Sequence, residues 1–124
     1  NPRWFKDHLA YTMSKYGMSM CTLGLAEEFK AQGIAVNSLW PRTAIATAAI
    51  ETFFPPEVLR ASRKPRIMAD AAYQIITSPS KTTTGNFFVD EDVLRKAGTV
   101  DFSQYAHDPS VSKPYIDSFL DTRE

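Results

Sequence analysis

The spacing of apolar positions changes several times along the chain, and each change predicts an element. From Asp7 to Gln32 the pattern is helical, with Asp7 placed to cap the start and Gly33 to supply a left-handed stop. A helix of that length runs to roughly 37 Å. Ala10, Gly17, Gly24 and Ala31 fall seven positions apart, close to two turns, so they form a row of small residues along one face. Each glycine in that row costs about 1 kcal/mol of helix propensity relative to alanine. The row therefore implies a close neighbour, either a sheet beneath the helix or a second helix across a subunit seam.

Ile34-Ala35-Val36-Asn37-Ser38-Leu39-Trp40 is short, rich in β-branched and aromatic residues, and closed by Pro41; it predicts a buried strand. An Ala/Thr/Ile stretch over residues 42–54 ends at Pro55-Pro56, and Pro56 is suited to open a short helix through Arg63. A further helix is predicted from Ala69 to Thr77, with Ala72, Ile75 and Ile76 on its apolar side. Ser80 to Thr84 reads as a polar loop, Gly85 to Asp90 as a last strand, and Glu91 to Lys96 as an amphipathic helix stopped by Gly98. Residues 99–124 are polar, carry Pro109 and Pro114 among scattered aromatics, and predict a tail that wraps over the rest rather than a second domain. Helices alternating with short apolar strands indicate an α/β fold with a parallel sheet. Two strands make a poor sheet, and a parallel sheet needs helices on both faces and more strands beside it, so the pattern predicts an incomplete one.

Composition narrows this only slightly. The 124 residues, 44% hydrophobic, suffice for one modest globular domain. Fourteen basic residues balance fourteen acidic ones, which gives no electrostatic footprint for nucleic acid or an anionic membrane. No apolar run reaches the length of a membrane span. The opening residues lack the apolar core of a signal peptide, and a start at Asn1 leads us to expect the true N-terminus elsewhere. The single cysteine, Cys21, excludes an internal disulfide and a cysteine-built zinc site, and its place in the helical pattern predicts a small buried residue. Neither His8 nor His107 begins a metal-ligand spacing.

The stretch that carries chemistry is Tyr11-Thr12-Met13-Ser14-Lys15. Tyr11 and Lys15 are four apart on a helix and share a face, about one turn from each other. A free tyrosine, with a pKa of about 10, is a poor base at neutral pH, and a neighbouring ammonium favours the phenolate. A tyrosine so tuned can exchange a proton with an alcohol or carbonyl oxygen. The spacing alone is common; its surroundings make it specific.

Ala10-Tyr11-Thr12-Met13-Ser14-Lys15-Tyr16-Gly17, then Leu25-Ala26-Glu27-Glu28-Phe29, then Gly33-Ile34-Ala35-Val36-Asn37-Ser38-Leu39-Trp40-Pro41, resembles the short-chain dehydrogenase/reductase family over residues 1–98. The resemblance implies the C-terminal half of a Rossmann-type, doubly wound parallel sheet: a long catalytic helix, two strands and lid helices, incomplete as given, with 99–124 as a tail packing on or extending from the domain. It implies an NAD(P)-dependent oxidoreductase fragment that moves hydride between nicotinamide and an alcohol or carbonyl of a hydrophobic substrate. Tyr11 would be the acid/base. Lys15 would activate it and hold the nicotinamide ribose. Pro41 would open the loop over the nicotinamide. The family's Pro-Gly becomes Pro41-Arg42 here, which shifts the carboxamide contacts onto Ile45 and Thr47 if one residue is inserted; otherwise the segment is a helical lid. Residues 48–66 fall where the family varies its substrate loop, and Phe53, Phe54 and Val58 suggest either an apolar pocket wall or ordinary core.

The same resemblance implies what lies outside the chain. Glycines 17, 24, 33, 85 and 98 form no Gly-rich phosphate turn, so the cofactor, NAD or NADP with NADP slightly preferred, would need the missing N-terminal half of the domain as partner. The isolated chain would be inactive. A homo-oligomer through the long helix is expected, as is an intracellular location, peroxisomal or mitochondrial and otherwise cytoplasmic, although Asp121-Thr122-Arg123-Glu124 is not a peroxisomal ending. The alternative function is a non-catalytic truncated fragment or dimerisation module.

Overall fold

The computed structural model describes residues 2–117, 119 and 120. The C-terminal residues 121–124, on which the targeting expectation rests, lie outside the described residues. The elements run α1 (Leu9–Glu28), β1 (Ser38–Trp40), α2 (Ala48–Phe53), α3 (Pro56–Arg60), α4 (Arg66–Ile76), β2 (Phe87–Val89) and α5 (Asp90–Lys96), with short 3-10 turns at Pro2–Trp4, Lys30–Gln32 and Ser103–Tyr105.

The first helix begins later than Asp7. That residue sits at φ 67°, and His8 takes the N-cap position without a side-chain bond. Thr12 substitutes for a cap: fully buried, its hydroxyl donates to the Trp4 carbonyl at 2.5 Å and ties the entry turn to the helix. The α-helix also ends earlier than Gln32, at Glu28, and gives way to a 3-10 turn over Lys30–Gln32, which Gly33 closes in the expected left-handed conformation (φ 71°).

The two strands pair in parallel with Ser38 opposite Phe87, Leu39 opposite Phe88 and Trp40 opposite Val89. The predicted strand from Ile34 is shortened because its first half is held by a loop instead. The Val36 N–H donates to Thr84 Oγ1 (3.0 Å), and the Val36 carbonyl accepts from the Gly85 N–H (2.8 Å). Asn37 completes this junction, its Nδ2 donating to the Thr83 carbonyl and its Oδ1 accepting from both the backbone and side-chain amides of Asn86. The Ala26 side chain lies 3.6 Å from where a Cβ on Gly85 would stand, so α1 packs closely over this corner.

The core lies between α4, α5 and the tail. Ile67, Ala71 and Leu94 are buried together with Phe102 and Tyr105, and Leu39, Ile45, Met68 and Val93 pack around them. The expected tail is therefore part of the domain's own core, and the segment beyond it folds back. Thr43 bridges Ile116 in antiparallel fashion, the Ala44 N–H donates to the Tyr115 carbonyl (2.8 Å), and the Asp117 N–H donates to the Arg42 carbonyl (2.9 Å).

Below the core runs a charge network. Glu91, 5% exposed, faces Arg63 at 3.3 Å, Arg95 at 3.4 Å and Arg42 at 3.7 Å, while Arg42 also reaches Asp92 at 2.7 Å. Asp90 is fully buried, and its Oδ1 accepts from the Arg42 and Glu91 backbone N–H groups at 2.8 and 2.7 Å. Burial pushes the Asp90 carboxyl above its usual range, against the two N–H donors that favour its ionised form. Arg42 thus has a structural employment: it joins the end of β1 to α5 and to the returning tail.

One expectation along α1 meets a different outcome. Cys21 is exposed, because the face it occupies carries no packing partner among the described residues. The small-residue row is also open at its centre, with no atom within 4 Å of a Cβ built on Gly17 or Gly24. With that space free in a single chain, Gly17→Ala and Gly24→Ala are each expected to stabilise the monomer by up to about 1 kcal/mol, read as a rise in melting temperature by circular dichroism. A fall instead would show that another backbone occupies this face in solution.

Candidate active site

α1 brings Tyr11 and Lys15 to one side of a cleft of about 370 Å³ whose floor is β1. The lining includes Asn37, Ser38, Leu39 and Trp40, then Pro41, with Met18, Ser19 and Thr22 from the next turns of α1. The helical spacing that places Lys15 one turn after Tyr11 also places Thr22 two turns further, where its hydroxyl meets that of Ser38 at 2.5 Å and fixes helix to strand. Tyr11, Lys15 and Pro41 therefore line one cleft. Ile45 and Thr47 do not. Ile45 packs against the core and pairs with Arg63, and Thr47 is exposed ahead of α2; neither lines the cleft. The turn after Pro41 is committed to the tail and to α5 through Arg42, Thr43 and Ala44, which carries the following residues away from the cleft. Phe53 and Phe54 are likewise exposed and Val58 is buried, and none of the three faces the cleft.

The electrostatics of the pair run against one expectation. The Lys15 ammonium lies over the Tyr11 ring, 5.3 Å from its centroid. The Tyr11 hydroxyl is pushed above its ordinary value, first by partial burial and then by the negative charge of Asp117. In this chain the phenol is thus not activated; the ammonium faces the ring, and a carboxylate opposes ionisation. Asp117 is itself raised by burial, while the Phe119 N–H and the Lys15 charge favour its ionised form.

Two residues of the cleft have no signal in the sequence pattern. Asp117 and Phe119 arrive from the tail, more than a hundred positions after Tyr11. Phe119 is 8% exposed and stacks on Tyr11 at 5.8 Å with the rings 17° from parallel; it meets Trp40 edge-on at 5.8 Å and Tyr16 at 5.9 Å. The antiparallel pairing of residues 115–117 with 42–44 brings them there, and no periodicity announces a pairing of such short segments.

No protein-family model matches the chain. Among curated proteins it is similar to hydroxysteroid dehydrogenase-like protein 2, being 55% identical to that of Danio rerio over 122 residues and 55% identical to that of Bos taurus over the same length. These alignments take in 98% of this chain and 28% of each relative, so the chain spans little more than a quarter of the proteins it matches. Among solved structures it superposes on a protein of Xanthomonas campestris described as a dehydrogenase, with a TM-score of 0.88 and 46% identity over 98% of this chain and 44% of that one. A short-chain dehydrogenase of Mycobacterium thermoresistibile gives a TM-score of 0.84 and 44% identity, again over 98% of this chain and 43% of the other.

Proposed function

From a chain that has part of the short-chain dehydrogenase fold and is related in sequence to dehydrogenases, we propose that it supplies one side of the active site of a nicotinamide-dependent oxidoreductase acting on an alcohol or carbonyl of a hydrophobic substrate. The observation that carries this reading is the convergence of Tyr11, Lys15 and Pro41 on one cleft above the end of a parallel strand, the end at which open α/β sheets take their ligands.

The groups facing the cleft suit the ribose and nicotinamide end of a dinucleotide: a phenol, an ammonium and the hydroxyl of Ser19. They do not suit its pyrophosphate, for which the chain offers no Gly-rich turn. The cofactor, NAD or NADP, would accept or supply hydride at the substrate carbon. Tyr11 would hold and move the proton at the substrate oxygen. Lys15 would hold the ribose, and a ribose hydroxyl and the rest of the domain around Lys15 would draw the ammonium from the ring toward the hydroxyl, the arrangement in which it lowers the Tyr11 pKa. The remaining N-terminal half of the domain is the partner this requires, and α1, with its open small-residue row and exposed Met13, Met20 and Leu23, is the face through which a homo-oligomer would form.

The test is titration of NADH and NADPH, followed by nicotinamide fluorescence, into the complete protein and into this chain alone. Enhancement with the complete protein and none with the chain is the expected result. A complete protein that binds neither nucleotide would overturn the oxidoreductase reading and favour a non-catalytic module.

A further inference from the structure

We propose that the returning C-terminal segment is a wall of the substrate cleft, and that Phe119 is a specificity-determining residue selecting substrates whose reacting carbon carries a flat apolar group. The inference rests on the acid/base reading of Tyr11 and extends it to what lies beside the reacting atoms.

Three observations converge on it. First, the segment is held in place by its backbone. Tyr115 donates its N–H to the Ala61 carbonyl (2.9 Å) and accepts from the Ala44 N–H, while the Asp117 N–H donates to the Arg42 carbonyl, so all three partners belong to the region between β1 and α4. Asp117 then uses its own carboxylate to accept from the Phe119 N–H at 3.0 Å, fixing the direction in which the chain leaves. Second, the Phe119 ring lies almost parallel to that of Tyr11 and edge-on to Trp40. It lies beside the tyrosine ring and lines the same cleft. Third, Phe119 separates two hollows: the cleft over Tyr11 and Lys15, and a second one of about 360 Å³ bounded by Trp4, Tyr16 and Trp40.

A substrate whose oxygen meets the Tyr11 hydroxyl must place the groups on its reacting carbon next to this aromatic corner. Flat apolar groups meet rings there in offset or edge-on geometry and remove apolar surface from water, whereas a methyl group gains little. Asp117, on the same wall, disfavours a carboxylate near the reacting carbon. The substrate class that fits is an uncharged aryl or ring-bearing ketone, or the corresponding secondary alcohol.

The experiment compares 2-acetonaphthone with acetone in the complete protein, as wild type, Phe119→Ala and Phe119→Leu. Removing the ring is expected to lower kcat/KM for the naphthyl ketone about tenfold more than for acetone, with leucine between the two. Equal losses for both ketones, or none for either, would overturn the proposal and leave Phe119 as packing alone. Quenching of tryptophan fluorescence by the naphthyl ketone gives a second reading without turnover. Weakened binding in Phe119→Ala, in a protein that reduces neither ketone, would support the wall and remove the oxidoreductase reading. Binding that ignores the substitution would overturn the wall whatever the turnover.

Discussion

Tyr11→Phe is expected to lower kcat/KM of the complete protein by about a thousandfold, within the range by which a positioned proton donor accelerates such a step, while leaving nucleotide affinity within about twofold. A thousandfold corresponds to about 4 kcal/mol of transition-state stabilisation. The substitution removes one oxygen and little else. The ring remains to stack on Phe119 and to underlie the Lys15 ammonium, and the exposed position of Tyr11 means that no buried donor or acceptor is left unpaired. A variant that retains activity would therefore exclude Tyr11 as the acid/base rather than report a damaged fold. Asp117→Asn refines the same measurement. The Asp117 charge is one of the two causes that hold the Tyr11 hydroxyl above its ordinary value. Removing it makes the phenolate easier to form, so the alkaline rise of alcohol oxidation, which needs the phenolate as base, is expected to move to lower pH. A shift to higher pH would show that the carboxylate acts chiefly by holding Lys15 in place.

How much of this was legible in the sequence depends on how local each cause is. Tyr11 and Lys15 share a helix, so their common face follows from a repeat that any helix obeys, and Gly33 closes the 3-10 turn that follows it because a left-handed residue is needed at one position. The start was less legible. Asp7 has the composition of a cap, but the burial of Thr12 against the Trp4 carbonyl decides where the helix begins. The strand from Ile34 to Trp40 has one propensity throughout, yet only its last three residues find a strand partner, since β2 offers three; β-propensity records a fit to neighbours rather than a property of the backbone. Ile45 and Thr47 follow only from a resemblance that breaks at Arg42, and Arg42 takes the turn toward α5 instead. Asp117 and Phe119 lay beyond any local rule, because what brings them to Tyr11 is a pairing between segments far apart in sequence.

The same long-range packing sets the largest expected effect on stability. Phe102→Ala should destabilise the protein by about 3–5 kcal/mol, the usual cost of deleting a buried ring. Phe102 is 6% exposed and joins Tyr105, 6.0 Å away, to Ile67, Ala71 and Leu94. The guanidinium groups of Arg95 and Arg63 lie over its faces at 4.5 and 5.9 Å, and Arg63 donates to its carbonyl at 2.8 Å. Losing the ring opens a cavity between α4 and α5 and uncovers cations whose partner Glu91 is held in the same place. Since a domain is stable by only about 5–15 kcal/mol in all, the loss should appear as a large fall in the urea midpoint with little change in slope. Val100→Ala, two residues earlier and 87% exposed, should move the midpoint by less than about 0.5 kcal/mol equivalent. If the two variants melt alike, the tail extends from the domain without holding it together, and the wall it forms beside Tyr11 loses its anchor; if they differ as expected, residues beyond 98 belong to the folded unit, and the cleft is built as much by the end of the chain as by α1.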